Sequence, residues 1–456
     1  MTPTIQDSLA AARRGIGHAK TGLKGAARIG FTATVLASTG FGWLLGDRPP
    51  APRLMRRTFE RLGTTYIKLG QFIASSPSLF PAEYVEEFQH CLDNTPPMAF
   101  QHVRQVVERE LGKPLGEAYA WIDPRPLATA SIAQVHAARL HTGEDVVIKV
   151  QKPGVQDVLL TDFNFLYVAA RVIELLAPGL SKSSISGVVE EIQKSMLEEC
   201  DFLQEARNLD RFNGFLAATG NTQAVAPRPY HALSSLRVLT MERFYGVPLT
   251  DLESIRANTN DPAQTLVAAL NTWFASLMLC DFFHADVHAG NLMVLKDGRI
   301  GFIDFGIVGR IERDAWKAMF TFFEAISAGN FRLMAESMAT IGMTREAVDI
   351  DRLAHDIEKL YTRLVDIDPM TVVQADRNDT EINKLLTDIV EIGEGHGIRF
   401  PRSFALLVKQ FLYFDRYVQI LAPELNIFDD DRLDLMPEGL LAASVFDAED
   451  DDEPRG

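Results

Sequence analysis

The pattern of apolar and polar positions changes period along this chain, and the changes mark its elements. From Arg56 to Phe100 apolar residues recur at helical spacing, with Pro96-Pro97 predicting the stop. A second helix is predicted over about Phe100 to Leu111. From Trp121 the texture turns to short β-type runs, Ile132 to Leu140 and Asp145 to Gln151. The turn-like His141-Thr142-Gly143-Glu144 joins them and predicts a hairpin. Helical periodicity returns from Val155 to Leu176 and from Ile185 to Phe212. Leu236 to Phe244 reads as a strand stopped by Gly246-Val247-Pro248, and Pro262 to Asp281 as a long buried helix. Leu292 to Leu295 and Ile300 to Ile303 flank Lys296-Asp297-Gly298-Arg299, a good hairpin turn. Nearly everything beyond Glu312 is helical, and no internal repeat is visible. Sheet first and helices after predicts an α+β fold of two lobes with helical additions.

Composition narrows the picture. The 456 residues have room for about three average domains, or one large domain with additions. An apolar fraction of 47% and a charged fraction of 23% are ordinary globular usage, so a sizeable core is expected. A net charge of −16 argues against a nucleic-acid partner, because phosphate backbones select a basic face. Part of that excess is the acidic stretch Asp447 to Glu453, read as a solubilising tail. Cys91, Cys200 and Cys280 lack metal-type spacing and read as reduced thiols of a cytosolic-type protein.

No secretory signal is apparent, since the first apolar run starts only at Ile29. That run, Ile29 to Gly46, carries no charge but is diluted by glycine, serine and threonine. It just reaches the minimum of about 17 residues for a spanning helix. Arg13, Arg14, Lys20, Lys24 and Arg28 precede it, opposed only by Asp7. Basic residues beside a weakly apolar helix suit an anionic membrane surface better than a span. The alternative is a helix packed on its own protein.

Candidate chemistry begins in the first hairpin. Its second strand contains Val146-Val147-Ile148-Lys149, and a lysine in an apolar run either faces solvent or needs a partner. Within Phe282 to Asn291, Asp286 is followed five residues later by Asn291, the spacing of a kinase catalytic loop. Ile303-Asp304-Phe305-Gly306 then supplies an Asp-Phe-Gly triplet after a hairpin. Lysine strand, Asp-to-Asn loop and triplet stand in the order that Mg²⁺-dependent phosphoryl chemistry requires. Lys149 would hold the nucleotide phosphates, Asn291 and Asp304 the Mg²⁺, and Asp286 would orient the acceptor. The expected glycine-rich loop is missing. Ala128, Thr129, Ala130 and Ser131 stand there, giving up the positive φ that glycine reaches. Adenine would bond the backbone of Glu242 to Phe244, after Met241.

Glu198 to Glu205 carries four carboxylates, read as one helix on which Asp201 and Glu205 share a face. Glu205 is the candidate partner of Lys149; the alternative is a solvated acidic face. It lies 56 residues after the lysine, which predicts a helical insertion between them. Ile307 to Ile311 runs almost directly into helix, leaving no room for an activation segment.

With these motifs, the stretch from Arg56 to Leu421 resembles the AarF/UbiB family of atypical kinases. The most specific element is Lys68-Leu69-Gly70-Gln71, similar to that family's K-x-G-Q helix; alone, Lys68 would read as a snorkelling surface lysine. The alanine-rich loop before Ser131-Ile132-Ala133-Gln134-Val135-His136 resembles the family's replacement for the glycine loop, and Glu199-Cys200-Asp201 its E-x-D motif. The resemblance implies that Lys68 and Gln71 lie on a regulatory helix covering the active site, with Lys68 meeting Glu199 and Asp201. It implies ATP or ADP with Mg²⁺ as cofactors, and a kinase or ATPase role in ubiquinone biosynthesis. It also implies contact with a membrane or prenyl lipid, and with quinone-biosynthesis proteins, at the cytoplasmic face of a bacterial inner membrane or in an organelle. Ala289, where the family has proline, and Thr129 are mild departures. A true protein kinase and a nucleotide-sensing scaffold without turnover are the rival readings. The expected division is 1–55 basic segment, 56–122 helical extension, 123–245 first lobe, 246–421 second lobe and 422–456 tail.

Overall fold

The structure is a computed structural model that describes residues 30–32, 34–35, 37–39, 46, 49–74, 82–90, 97–176, 185–249, 251–259, 261–280, 282–288, 290–311, 313–342, 348–365, 392–393, 395–398, 400, 402–425 and 430–433. It divides into two compact units, Met1–Leu203 with His231–Thr240, and Gln204–Tyr230 with Met241–Gly456.

In the first unit the block expected as one helix from Arg56 is broken. Helix α1 (Ala51–Leu62) ends where Gly63 takes φ 94°, α2 (Thr64–Ala74) follows, and α3 (Ala82–Gln89) is separate. Their apolar faces meet in one cluster of Phe59, Leu62, Tyr66, Ile67, Ile73 and Phe88. Phe59 meets Tyr66 and Phe88 edge to face, at 5.6 and 5.2 Å between centroids. Val35 joins the same cluster, and Arg61 donates to Thr39 Oγ1 and Ser38 Oγ at 2.8 Å. The described part of the Ile29–Gly46 run thus touches its own protein through Val35, Ser38 and Thr39, while Gly30, Phe31, Thr34 and Ala37 are exposed. Among the described residues no helix is long and apolar enough to cross a membrane.

Helix α4 (Phe100–Leu111) and the short α5 (Leu115–Ala118) lead into an antiparallel sheet. Its order is β1 (Trp121–Thr129), β2 (Ala133–Arg139), β3 (Asp145–Gln151) and β5 (Val238–Glu242). Strand β1 tolerates Pro124 and Pro126 because it lies at the sheet edge, where its register with β2 slips between Ile122 and Ala128. The β2–β3 turn closes as expected, with Gly143 at φ 101°. Helices α6 (Val155–Leu176) and α7 (Ile185–Glu198) follow as an antiparallel insertion.

The single helix expected from Ile185 to Phe212 is interrupted at Glu199–Asp201, and α8 (Phe202–Ala218) starts afresh. Gln151 Nε2 donates to the Cys200 carbonyl at 3.0 Å, and Phe202 N to the Leu236 carbonyl at 3.3 Å. Backbone groups that would have continued the helix are thus spent on the sheet side. Asp201 stands before α8, so it does not share a helical face with Glu205.

The second unit carries most of α8 and a four-stranded sheet of order β4 (Ala224–Val225), β9 (Ile300–Phe302), β8 (Leu292–Leu295) and β6 (Gly246–Pro248). Gly246-Val247-Pro248 is thus an edge strand, where the sequence reads as a stop. A Cβ on Gly246 would sit 2.5 Å from the Val294 carbonyl oxygen, so glycine here permits close strand approach. A two-stranded piece pairs β7 (Phe283–His284) with β10 (Val308–Gly309).

Helix α9 (Leu252–Asn258) precedes α10 (Pro262–Leu279), whose Asp261 cap accepts from Gln264 N at 2.9 Å and whose first position is proline. Helices α11 (Arg313–Ser327), α12 (Phe331–Ile341), α13 (Ile350–Val365) and α14 (Arg402–Leu421) complete the described part. Trp273 on α10 is fully buried among Phe283, Phe411 and Phe414, with centroids 5.2 to 5.9 Å away. That aromatic knot fixes α14 against the helix that leads into Asp286.

Candidate functional site

In the first unit, Lys149 lies on β3 opposite Val135 and is only 8% exposed, which excludes the solvent-facing reading. Its ammonium stands 5.3 Å from the centroid of the Phe202 ring, a face that offers a buried cation partial compensation. Ala128 pairs with Val135 and Thr129 ends β1 against Gln134, and Ala130 and Ser131 form the tight link to β2, where Ala130 N donates to Ala133 O at 2.9 Å. Ser131 is fully buried.

Below that link Gln134 accepts from Met98 N at 2.9 Å, and its Nε2 lies 2.9 Å from His136 Nε2. His136 Nδ1 is 2.8 Å from the Asp123 carbonyl, so Nδ1 carries the hydrogen and Nε2 accepts. Burial lowers the His136 pKa from its ordinary value, in keeping with that neutral tautomer.

Lys68 Nζ on α2 pairs with Glu199 Oε2 at 3.1 Å, both side chains about one-fifth exposed. Glu199 and Asp201 occupy the turn between α7 and α8, and Cys200 between them is buried. Burial, reinforced by the Glu199 carboxylate, pushes its thiol up to about 12, so it is no nucleophile. The backbone of Gln71 lies on α2, while its side chain is outside the described residues.

The second unit holds Glu205, Asp286, Asn291 and Asp304. Glu205 on α8 is 1% exposed. One turn further on the helix, Asn208 takes a hydrogen bond from Gln204 and donates to the Phe305 carbonyl at 3.0 Å. A Cβ placed on Gly306 would lie 3.2 Å from Asp304 Oδ1 and 3.7 Å from Glu205 Oε2. A side chain at 306 would thus crowd the Asp304 carboxylate by a few tenths of an ångström and meet Glu205 in ordinary contact. Asp304 has φ 61°, the only positive φ of a described residue other than glycine. Such a residue stores strain that its surroundings must hold, which is frequent at functional sites. Phe305 does the holding: it is fully buried, 4.8 Å from Phe212 and 4.6 Å from His284 between centroids.

Asn291 and Asp304 come to the same end of the β8–β9 hairpin. Leu292 pairs with Phe302, and Ile303 N donates to the Asn291 carbonyl at 2.9 Å. Asn291 Nδ2 donates to the Asp286 carbonyl at 2.9 Å and approaches Asp286 Oδ2 at 3.4 Å. His288 Nε2 lies 3.5 Å from the same oxygen, while its Nδ1 accepts from Gly290 N at 3.0 Å.

Asp286 sits in a segment whose backbone is fully accounted for. The N–H groups of Ala285, Asp286 and Val287 go to Ile307 O, His284 Nδ1 and Gln410 Oε1. The carbonyls of His284, Ala285, Asp286 and Val287 accept from Trp273, Gln410, Asn291 and Tyr417. His284 donates from Nε2 to Ile303 O at 2.9 Å, and its complete burial lowers its pKa, so the ring is neutral. Gln410 and Tyr417 escape any motif reading, because a glutamine and a tyrosine on a distant amphipathic helix carry no local signal. Asn208 and His284 were within reach, as polar residues flanked by apolar ones beside the motifs.

Glu242 is exposed and Phe244 half-buried, and both line a cavity of about 410 Å³ with Asn213, Leu216, Val225 and Arg299; the Met241 side chain is buried. Among the described residues no three His, Cys, Asp or Glu side chains are spaced to hold a metal by themselves.

Residues 90–338 match the model of the ABC1 atypical kinase-like domain. An uncharacterised aarF domain-containing protein kinase of Arabidopsis thaliana, described as chloroplastic, is 50% identical over 402 residues, 84% of this chain and 74% of that protein. A probable protein kinase UbiB of Azotobacter vinelandii is 29% identical over 392 residues, 85% of this chain and 71% of that one. Among solved structures, the Mycobacterium tuberculosis Rv3197–erythromycin complex matches with a TM-score of 0.50 at 23% identity, covering 87% of this chain and 94% of that one. That likeness bears on the fold, α+β and kinase-like. With more than half its length matched by the family model, the chain belongs to the ABC1 atypical kinase-like family.

Proposed function

We propose that this protein binds Mg²⁺ with ATP or ADP and works as an atypical kinase or ATPase on a small-molecule or lipid-linked acceptor. One observation carries the reading: Asn291 is hydrogen-bonded to the Asp286 carbonyl and accepts from Ile303 N, so that the strained Asp304 follows at the same end of the hairpin. An amide oxygen and a carboxylate are the hard donors Mg²⁺ takes. Two protein ligands suit an ion that completes its shell with water and phosphate oxygens. The ion, when bound, would supply charge neutralisation at the phosphates.

Lys149 would hold the phosphates and Glu205 would fix that lysine. Asp286, its carboxylate placed by Asn291, would orient the acceptor hydroxyl or water and take its proton. Backbone groups of Glu242 to Phe244 would meet adenine, and the Ala128 to Ser131 link would lie over the phosphates. Only Ile307 to Glu312 separates Gly306 from α11, and β10 takes two of those residues, which disfavours a protein-substrate platform. Support of ubiquinone-type quinone synthesis at a membrane is proposed from the resemblance to UbiB. Anionic or prenyl lipid and quinone-biosynthesis proteins are the partners that role calls for.

The test is phosphate release from ATP, with quinone profiling of a deletion strain complemented by wild type or Asp286→Asn. Turnover and quinone restored by wild type alone support the reading. Equal performance of Asp286→Asn contradicts it.

A further inference from the structure

We infer that Gln410, seconded by Tyr417, is a positioning residue for Asp286. The inference rests on the proposed phosphoryl chemistry for its purpose, and on α14 for its geometry. Gln410 is fully buried. Its Oε1 accepts from Val287 N at 2.8 Å, and its Nε2 donates to Ala285 O at 2.8 Å and to Leu406 O at 2.7 Å. Both amide hydrogens and the oxygen are thereby used. Turning the amide over would face its hydrogens to the Val287 N–H and its oxygen to two carbonyls, so one orientation is fixed. The side chain grips the residues immediately before and after Asp286, as a neighbouring strand would. Tyr417 Oη adds a 2.8 Å bond to the Val287 carbonyl and is also buried.

Asp286 itself is only half-buried, and the hydrogen bonds of Gln410 and Tyr417 go to the backbone of Ala285 and Val287 on either side of it, so both act through the backbone that aims it. The choice of glutamine is specific. Leucine or methionine would fill the volume but leave one N–H and one carbonyl of the loop orphaned. Glutamate would keep the acceptor for Val287 N–H and set a carboxylate against two carbonyls. Protonation of that glutamate would return one donor to Ala285.

The test compares wild type with Gln410→Glu, Gln410→Leu and the milder Tyr417→Phe. It combines hydrogen exchange of the 283–291 segment, phosphate release from ATP across pH, and Mg-ADP affinity. Misplacing a reacting group by about 1 Å costs on the order of 100-fold in rate. Gln410→Glu is therefore expected to lose at least tenfold in kcat at pH 8, with Mg-ADP affinity within twofold of wild type. Its rate relative to wild type should recover as pH falls and the carboxyl takes a proton, and Val287 should exchange at least tenfold faster at pH 8. Tyr417→Phe should show a smaller loss of the same kind. Unchanged exchange in Gln410→Glu and Gln410→Leu overturns the inference, as does loss of nucleotide affinity in step with kcat, or a pH-independent rate ratio. If wild type itself releases no phosphate, the functional reading falls, and the exchange of Val287 still decides whether Gln410 holds the loop.

Discussion

Asp304→Asn should make the free protein more stable while removing its response to Mg²⁺. The Asp304 and Glu205 carboxylates both lie close to Gly306, at 3.2 and 3.7 Å from one point, so these oxygens are at most about 7 Å apart. Two unit charges at that distance repel by about 2 kcal/mol at an effective dielectric of about 20. Water at the half-buried Asp304, and the lysine proposed to pair with the buried Glu205, offset part of this, leaving about 1 kcal/mol. Asparagine tolerates the positive φ about as well as aspartate, so the backbone strain is unchanged and the charge alone is removed. About 1 kcal/mol should raise the melting temperature by roughly 2–4 °C. The assay is a thermal melt in EDTA, repeated with Mg²⁺ and ADP. At ADP a hundredfold above its Kd, wild type should gain about 2.7 kcal/mol, and the variant only the part that needs no Mg²⁺. A variant that melts below wild type in EDTA, or one that keeps the full Mg²⁺-dependent gain, refutes the reasoning about Asp304.

Other perturbations follow from the same geometry. Lys68→Ala should cost about 1–3 kcal/mol, between the small worth of exposed pairs and the larger cost of breaking a buried one. It should also alter nucleotide preference or release autophosphorylation; a variant equal to wild type in denaturant melts and phosphate incorporation makes Lys68 a surface residue. His284 is held neutral, with its pKa below the ordinary value, because burial opposes its charge. As pH falls below about 6.5 the unfolded chain takes up a proton the fold refuses, so stability should drop by up to about 1.4 kcal/mol per pH unit until His284 itself titrates. Urea melts between pH 7.5 and 5.5 check this, and a flat profile contradicts it. Deleting residues 1–28 should release the protein from anionic vesicles without unfolding it, whereas deletion through Gly46 removes Val35 and should also destabilise the α1–α3 cluster. Equal flotation of the shorter deletion and the full chain would place lipid contact elsewhere.

The hairpins were legible in the sequence because turn chemistry is local: Gly143 and Gly298 take the positive φ their turns demand. The order of Lys149, Asp286, Asn291 and Asp304 was legible because each sits at a fixed offset from a strand end. What the sequence hid was decided by partners far along the chain. Glu198 to Glu205 has helical spacing throughout, yet the Cys200 carbonyl is taken by Gln151, and the helix breaks there. Gly246 reads as punctuation until the Val294 carbonyl is seen beside it. Gln410 and Tyr417 act on residues more than 100 positions away, at a separation no local pattern records. The Asn291-to-Asp286 bond, by contrast, spans five residues and could be anticipated from the loop spacing.

The central claim is that this chain holds a nucleotide through Mg²⁺. Calorimetric titration of ADP into the full-length protein tests it most directly, in Mg²⁺ and then in EDTA, for wild type and for Asn291→Ala. Saturable binding that weakens at least tenfold in EDTA, and equally in the variant, is the predicted result. Heat of binding unchanged by EDTA, or no binding by wild type in Mg²⁺, would contradict it.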